Sequence, residues 1–119
     1  MTALLYERLG GTEGITRIAN DVVDNHLANV LIAPRFRKVN IAALKHAAAT
    51  FFIAGTGGPQ VYEGKEMGPA HANMNVSVQE FVAVLDDALA ALTKNDIGQR
   101  EQEEVLFALY SMKASIVGQ

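Results

Sequence analysis

Residues 12–34 read TEGITRIANDVVDNHLANVLIAP, and this stretch decides the class of fold. Ile15, Ile18, Ala19, Val22, Val23, His26, Leu27 and Val30 recur at i, i+3, i+4 and i+7, which places them on one face of a helix. Thr12 stands where an N-cap belongs. Pro34 closes the run, because the residue before a proline avoids the helical region. The same rhythm continues on both sides. Upstream, Leu4, Leu5 and Leu9 make a short helical segment closed by Gly10-Gly11. Downstream, Asn40 is an N-cap for a helix carrying Ile41, Leu44, Ala48, Phe51 and Phe52, and Gly55-Thr56-Gly57-Gly58-Pro59 stops it. Residues 59–76 are less regular, with room for a turn or two of helix around His71. Ser77 and Glu80 form a capping box that opens a helix with Phe81, Leu85, Ala88, Leu89 and Leu92. After a break at Asn95 to Gly98, a last helix carries Val105, Leu109, Met112 and Ile116. No segment alternates with the period of two of a half-buried strand. The spacing predicts an all-α fold in a single domain over residues 1–119.

Composition narrows the function. The chain of 119 residues is 50% hydrophobic and 19% charged, the balance of a globular domain and not of a disordered tail. It has no cysteine, so disulfides, thiolate metal sites and a cysteine nucleophile are excluded. With 13 acidic against 10 basic residues the net charge is -3, which argues against nucleic-acid and anionic-membrane binding. Neither a signal peptide nor a membrane span is visible, and a cytoplasmic protein is expected. Asp86, Asp87, Glu101, Glu103 and Glu104 read as solvated helix faces. Gly55 to Pro59 follows a helix and not a strand, so it reads as a chain break and not a phosphate loop.

Three histidines carry what metal or acid–base chemistry there is. No two of His26, His46 and His71 lie at i, i+3 or i+4, so no helix presents a two-histidine zinc face. His71 ends Met67-Gly68-Pro69-Ala70-His71, with few polar neighbours. Such a residue facing an alanine-rich helix suits single-point ligation of a large planar cofactor, and haem needs only one histidine. Ala42, Ala43, Ala47, Ala48 and Ala49 crowd that helix. Alanine fills little volume, which serves either close helix packing or a cofactor between helices. Met67 and Met74 read first as core filler.

The chain resembles the group I truncated haemoglobins, the two-over-two helical globins. The matching residues are Leu5-Tyr6-Glu7-Arg8-Leu9-Gly10-Gly11, Phe36 after the Pro34 corner, Leu44-Lys45, Phe51-Phe52, Gly57-Gly58-Pro59, Tyr62, Gly64, Met67, His71 and the Phe81 helix. The resemblance implies haem b held between the helix of residues 41–54 and the His71 helix. His71 would be the proximal iron ligand, its other nitrogen donating to a carbonyl or water. Phe36 matches the haem-stacking phenylalanine. Leu44, Lys45, Ala48, Tyr62, Lys65 and Met67 fall among cofactor-binding positions, with Tyr62 and Lys65 near the propionates. Phe52 matches a residue that lines or gates an apolar tunnel in some members, and plain core is its other reading.

The departures lie on the distal side. Val23 stands where the family usually places a tyrosine, and Ala48 where a glutamine is usual. With Leu44 and Ala47 beside them, the expected donors are replaced by aliphatic residues. A hydrogen bond to a charged group contributes ~1.5–3 kcal/mol. Losing one from partly negative bound O2 implies an affinity roughly ten- to a hundredfold below that of tyrosine-bearing relatives. Some relatives carry a histidine that binds iron as a sixth ligand, but that position matches Ala47. His46, one residue earlier, is turned by ~100° of helix rotation, so ligation by it would need a local helix shift. His26 lies one turn past Val23, as a core or surface residue or as a polar group behind the distal pocket.

The function implied is reversible binding of O2, CO and NO. The alternative is an enzyme that oxidises nitric oxide to nitrate, or a weak peroxidase, served by an external reductase. A haem-free helical module is a third class. A monomer or weak homodimer is the expected assembly.

Overall fold

The computed structural model describes residues 3–119. Among the described residues seven α-helices follow in order: α1 Leu5–Arg8, α2 Gly11–Ala28, α3 Ile41–Gly55, α4 Met67–His71, α5 Val78–Lys94, α6 Gln99–Tyr110 and α7 Lys113–Ile116. A 3-10 turn at Ala33–Phe36 joins α2 to α3. Among the described residues there is no strand, only an isolated parallel bridge between Val76 and Val117. The class is all-α. No helix among the described residues is long and apolar enough to cross a membrane.

Two helix starts form as their sequences dictate. The Asn40 side chain accepts from the Ala43 amide at 3.0 Å and opens α3. At α5 both halves of the capping box are made: the Glu80 amide donates to Ser77 Oγ at 3.1 Å, and the Ser77 amide donates to the Glu80 carboxylate at 3.0 Å.

Three boundaries differ from the sequence expectation. Gly10, and not Thr12, caps α2, with φ of 101°. A Cβ at Gly10 would also meet Gly14 Cα at 3.1 Å, so glycine suits the turn twice over. Thr12 instead anchors Tyr6: their hydroxyls share a 2.6 Å hydrogen bond, and the Thr12 amide donates to the Tyr6 oxygen at 3.1 Å. Helix α2 stops at Ala28, before the Pro34 corner, because Asn29 turns extended and its side-chain oxygen accepts from the Leu31 amide at 3.1 Å. Val30, expected on the inner face, is consequently 90% exposed. The last helix breaks after Tyr110, where Ser111 Oγ donates to the Ala108 carbonyl at 2.7 Å. The separate α7 then packs against α4.

Helix α2 packs on both α3 and α5, and α6 packs on α5, so two helix pairs are stacked through α2 and α5. Ile15, Ile18, Val22, Ile53, Ala88, Leu92 and Val105 form the core between them. A second cluster of Val76, Phe81 and Leu85 is closed by Leu106, Leu109, Ile116 and Val117. Arg8 ties α1 to α6, donating to Glu101 at 3.1 Å and, through both terminal nitrogens, to Glu104. The Glu104 carboxyl is accordingly held below its ordinary pKa by the Arg8 hydrogen bond. The expectation of a wholly solvated acidic face on α6 is corrected by this pairing, while Glu103 and Asp86 are exposed.

Replacing Ser77 by Ala removes the acceptor for the Glu80 amide. Such caps contribute ~1 kcal/mol. Urea unfolding of Ser77→Ala is expected to show that loss as a lower midpoint at unchanged slope, with Ser77→Thr close to wild type.

Candidate functional site

Where α2, α3, α4 and α5 converge, the core leaves a cavity of about 290 Å³ with almost entirely apolar walls. Ligand sites generally span roughly 300–1,000 Å³, so this void lies just under the lower bound of that class. One wall is Val22, Val23 and His26 of α2 with Phe36 of the 3-10 turn. Another is Leu44, Ala47, Ala48, Phe51 and Phe52 of α3. Met67 and His71 of α4, Tyr62 before it, and Phe81, Val84, Leu85 and Ala88 of α5 complete the enclosure. Arg35, Ala47 and Met74 line it while remaining exposed, which marks its open edge. The two readings of the α3 alanines divide by residue: Ala47 and Ala48 face the cavity, Ala49 packs in the core, and Ala42 and Ala43 are exposed.

His71 is set by its own helix. Its Nδ1 lies 2.8 Å from the Met67 carbonyl oxygen, one turn earlier. A carbonyl can only accept, so Nδ1 carries a proton and donates, and in the neutral ring Nε2 keeps a lone pair. No described residue makes a hydrogen bond to that Nε2. A neutral imidazole with a tied Nδ1–H is the form in which histidine binds a metal. Among the described residues no three of His, Cys, Asp or Glu cluster to hold a metal ion by themselves. One nitrogen lone pair in an apolar slot fits a metal whose other ligands arrive with it, as in a porphyrin.

The remaining sequence candidates separate into those at the cavity and those away from it. Phe36, Leu44, Ala47, Ala48, Phe52, Tyr62, Met67, Val23 and His26 line it. Tyr62 presents its ring there, edge-on to Phe51 at 5.3 Å, and its hydroxyl donates to the Lys65 carbonyl at 2.6 Å. Lys65 itself is exposed and outside the lining, and Lys45 pairs with Asp24 at 2.9 Å. His46 is exposed and does not reach the cavity. Phe52, Val22 and Ala88 also border a second void of about 10 Å³ deeper in the core.

Two features escaped the sequence reading. Asp87 is not a solvated residue. Its side chain is 13% exposed and accepts from His26 Nδ1 at 2.7 Å and from Asn29 Nδ2 at 3.2 Å. The signal was present: Ala83 and Ala91, four residues to either side, are both buried, so Asp87 lies on the inward stripe of α5. Arg35 is the other feature. It donates to the Glu80 carboxylate in bidentate fashion and to the Met74 carbonyl at 3.0 Å, strapping the 3-10 turn to the start of α5 across the cavity edge. The Arg35 guanidinium, then the Ser77 amide, pull the Glu80 pKa down to about 2.

An all-α chain with an apolar cavity, and at its wall a histidine whose Nδ1 is tied to its own helix and whose Nε2 has no hydrogen-bond partner among the described residues, fits a haem protein. The family model of the bacterial-like globins matches residues 4–117, and the chain belongs to that family. It is 27% identical over 114 residues to the group 1 truncated hemoglobin GlbN of Mycolicibacterium paratuberculosis, covering 96% of this chain and 84% of that protein. The crystal structure of truncated hemoglobin from Tetrahymena pyriformis in the Fe(III) form superposes with a TM-score of 0.94 at 22% identity, over 98% of this chain and 100% of that one. The 2/2 hemoglobin from Synechococcus sp. PCC 7002, solved in the cyanomet state with covalently attached heme, superposes with a TM-score of 0.85 at 23% identity, over 93% of this chain and 94% of that one. The fold is the two-over-two truncated globin fold, and the family implies haem as the cofactor.

The Arg35–Glu80 strap gives a pH signature. Glu80 ionises more readily in the folded chain than at its ordinary value of 4.5, so its contribution is complete above 4.5 and vanishes as pH falls toward 2. Glu80→Gln keeps a box-forming side chain but loses the charge. Denaturation is expected to show it less stable than wild type at pH 7, with the gap closing between pH 4.5 and 2.

Proposed function

We propose that the chain holds haem b non-covalently in the α2–α5 cavity through His71 Nε2 and binds diatomic gases, chiefly O2, reversibly at the opposite face. The observation that carries this is the His71 ring, with Nδ1 bonded to Met67 and Nε2 free at an apolar cavity wall. Bound there, haem would supply the iron that His71 would hold and that a gas molecule would bind. The chain supplies the rest. Phe36, stacked on His26 at 5.8 Å, offers a flat ring to the porphyrin face. Met67, Phe81 and Val84 exclude water around it. Tyr62, Arg35 and the open edge are where the propionates would meet polar groups and solvent.

Val23, Leu44, Ala47, Ala48 and Phe52, which the family resemblance assigns to the side across from His71, line the same cavity, and none of their side chains can donate a hydrogen bond. A polar ligand such as O2 gains nothing from these side chains, whereas CO, less polar when bound, loses little by their apolarity. His46 is exposed and does not line the cavity, so it would not compete there with an external ligand.

The test is spectroscopic. Hemin added to the purified protein should give a Soret band, and the ferrous form should be five-coordinate, with the same spectrum in His46→Ala. A six-coordinate low-spin ferrous spectrum abolished by His46→Ala would contradict the assignment of the sixth position. Val23→Tyr restores a donor worth ~1.5–3 kcal/mol, so O2 dissociation from it should slow roughly ten- to a hundredfold with CO dissociation nearly unchanged. Equal rates in Val23→Tyr and wild type would mean that another donor already serves O2.

A further inference from the structure

The His26 ring is bonded to Asp87 and stacked on Phe36, and Asn29 in turn bonds Asp87. The ring of His26 lies at the cavity wall, at an interplanar angle of 10° to Phe36. Nδ1 is 2.7 Å from the Asp87 carboxylate, and Asn29 Nδ2 donates to the same carboxylate from 3.2 Å. Asn25 Nδ2 donates to the Asp87 backbone carbonyl at 3.0 Å, fixing the α2 end against α5. An ionised carboxylate accepts only, so Nδ1 carries the hydrogen and Nε2 of the neutral ring carries a lone pair. His26 lines the cavity and Asp87 does not; with Nδ1 taken by Asp87 and no described residue bonded to Nε2, Nε2 is the nitrogen available to the cavity. No described lysine or arginine pairs with Asp87, and the His26 ring is the titratable group its carboxylate faces. The other charged groups at the cavity, Arg35 and Glu80, are paired with each other.

We propose that His26 Nε2 is the proton acceptor for weak protic ligands entering this cavity: small neutral molecules HX that bind as the anion, such as hydrogen cyanide, hydrogen sulfide or hydrogen peroxide. The H–X bond breaks, its electron pair stays on X, and the proton passes to the Nε2 lone pair. The resulting imidazolium is paired with Asp87, and no oxidant or reductant is consumed. Since neutral His26 offers a lone pair and not a donor hydrogen on this side, it leaves aprotic gases unassisted. It therefore sorts ligands by whether they carry a proton. The inference rests on the haem reading for the site at which X is held.

Cyanide is the probe for a protic ligand and carbon monoxide for an aprotic one, each followed by the Soret band at pH 7. A positioned base contributes at least ~10²-fold where proton transfer limits the rate, and less where it does not. His26→Leu is expected to slow cyanide association ~10- to 100-fold and to leave carbon monoxide association within about twofold. Asp87→Asn should give a smaller loss in the same direction. His26→Gln, which keeps polarity but takes up no proton, should behave as His26→Leu does. Nitrogen-15 NMR of the ring, with and without haem, should show the Nδ1–H tautomer. Cyanide association within twofold of wild type in both His26 variants overturns the proposal. So does an equal slowing of both ligands, which would be a packing effect, or an Nε2–H tautomer. The haem reading fails differently, by a wild-type protein that gives no Soret band.

Discussion

The hydrogen bond from His71 Nδ1 to the Met67 carbonyl is the constraint on which the site depends. It closes within one short helix, and it settles which imidazole nitrogen can coordinate. Helix α4 is only five residues long, and α7 packs against it. The break after Tyr110 therefore has a use: it lets the end of the chain turn back and support the helix that carries His71. Met112 and Ile116 reach the cavity from that same return.

A second imidazole is tied in the same way with a different consequence. His26 also has its Nδ1 taken, but by the carboxylate of Asp87 and not by a neutral carbonyl. A carbonyl fixes orientation and leaves charge unchanged, whereas a carboxylate also stabilises the protonated ring. On the proposed reading one cavity carries a histidine to coordinate and a histidine to take a proton. Between them the walls are aliphatic and aromatic, so each lone pair acts in a site of low dielectric, where a polar contact counts for more than in water.

The helices were legible because their signals are local. Asn40 and the Ser77–Glu80 box act within a single turn, and the i, i+3, i+4 spacing of Ile15 to Val23 follows from helix geometry alone. The boundaries that differed depend on side chains meeting across the fold. Thr12 is claimed by Tyr6, and Asn29 is drawn toward Asp87. The fold family and the place of His71 at the cavity wall could be read from ordered residues along the chain. Asp87 could have been read from the buried stripe of Ala83 and Ala91, which outweighs its charge. Arg35 could not, since nothing near it in sequence signals a partner 45 residues away. Lys45 and Lys65 lie beside the site in sequence, yet the structure keeps both outside the cavity lining.

The most direct measurement is a hemin titration of His71→Gly with and without free imidazole. If His71 supplies the axial nitrogen, the variant binds hemin weakly or not at all, and imidazole, diffusing into the space left by the side chain, restores a Soret band like that of wild type. Hemin binding by His71→Gly as tight as wild type, with a band indifferent to imidazole, would contradict the account.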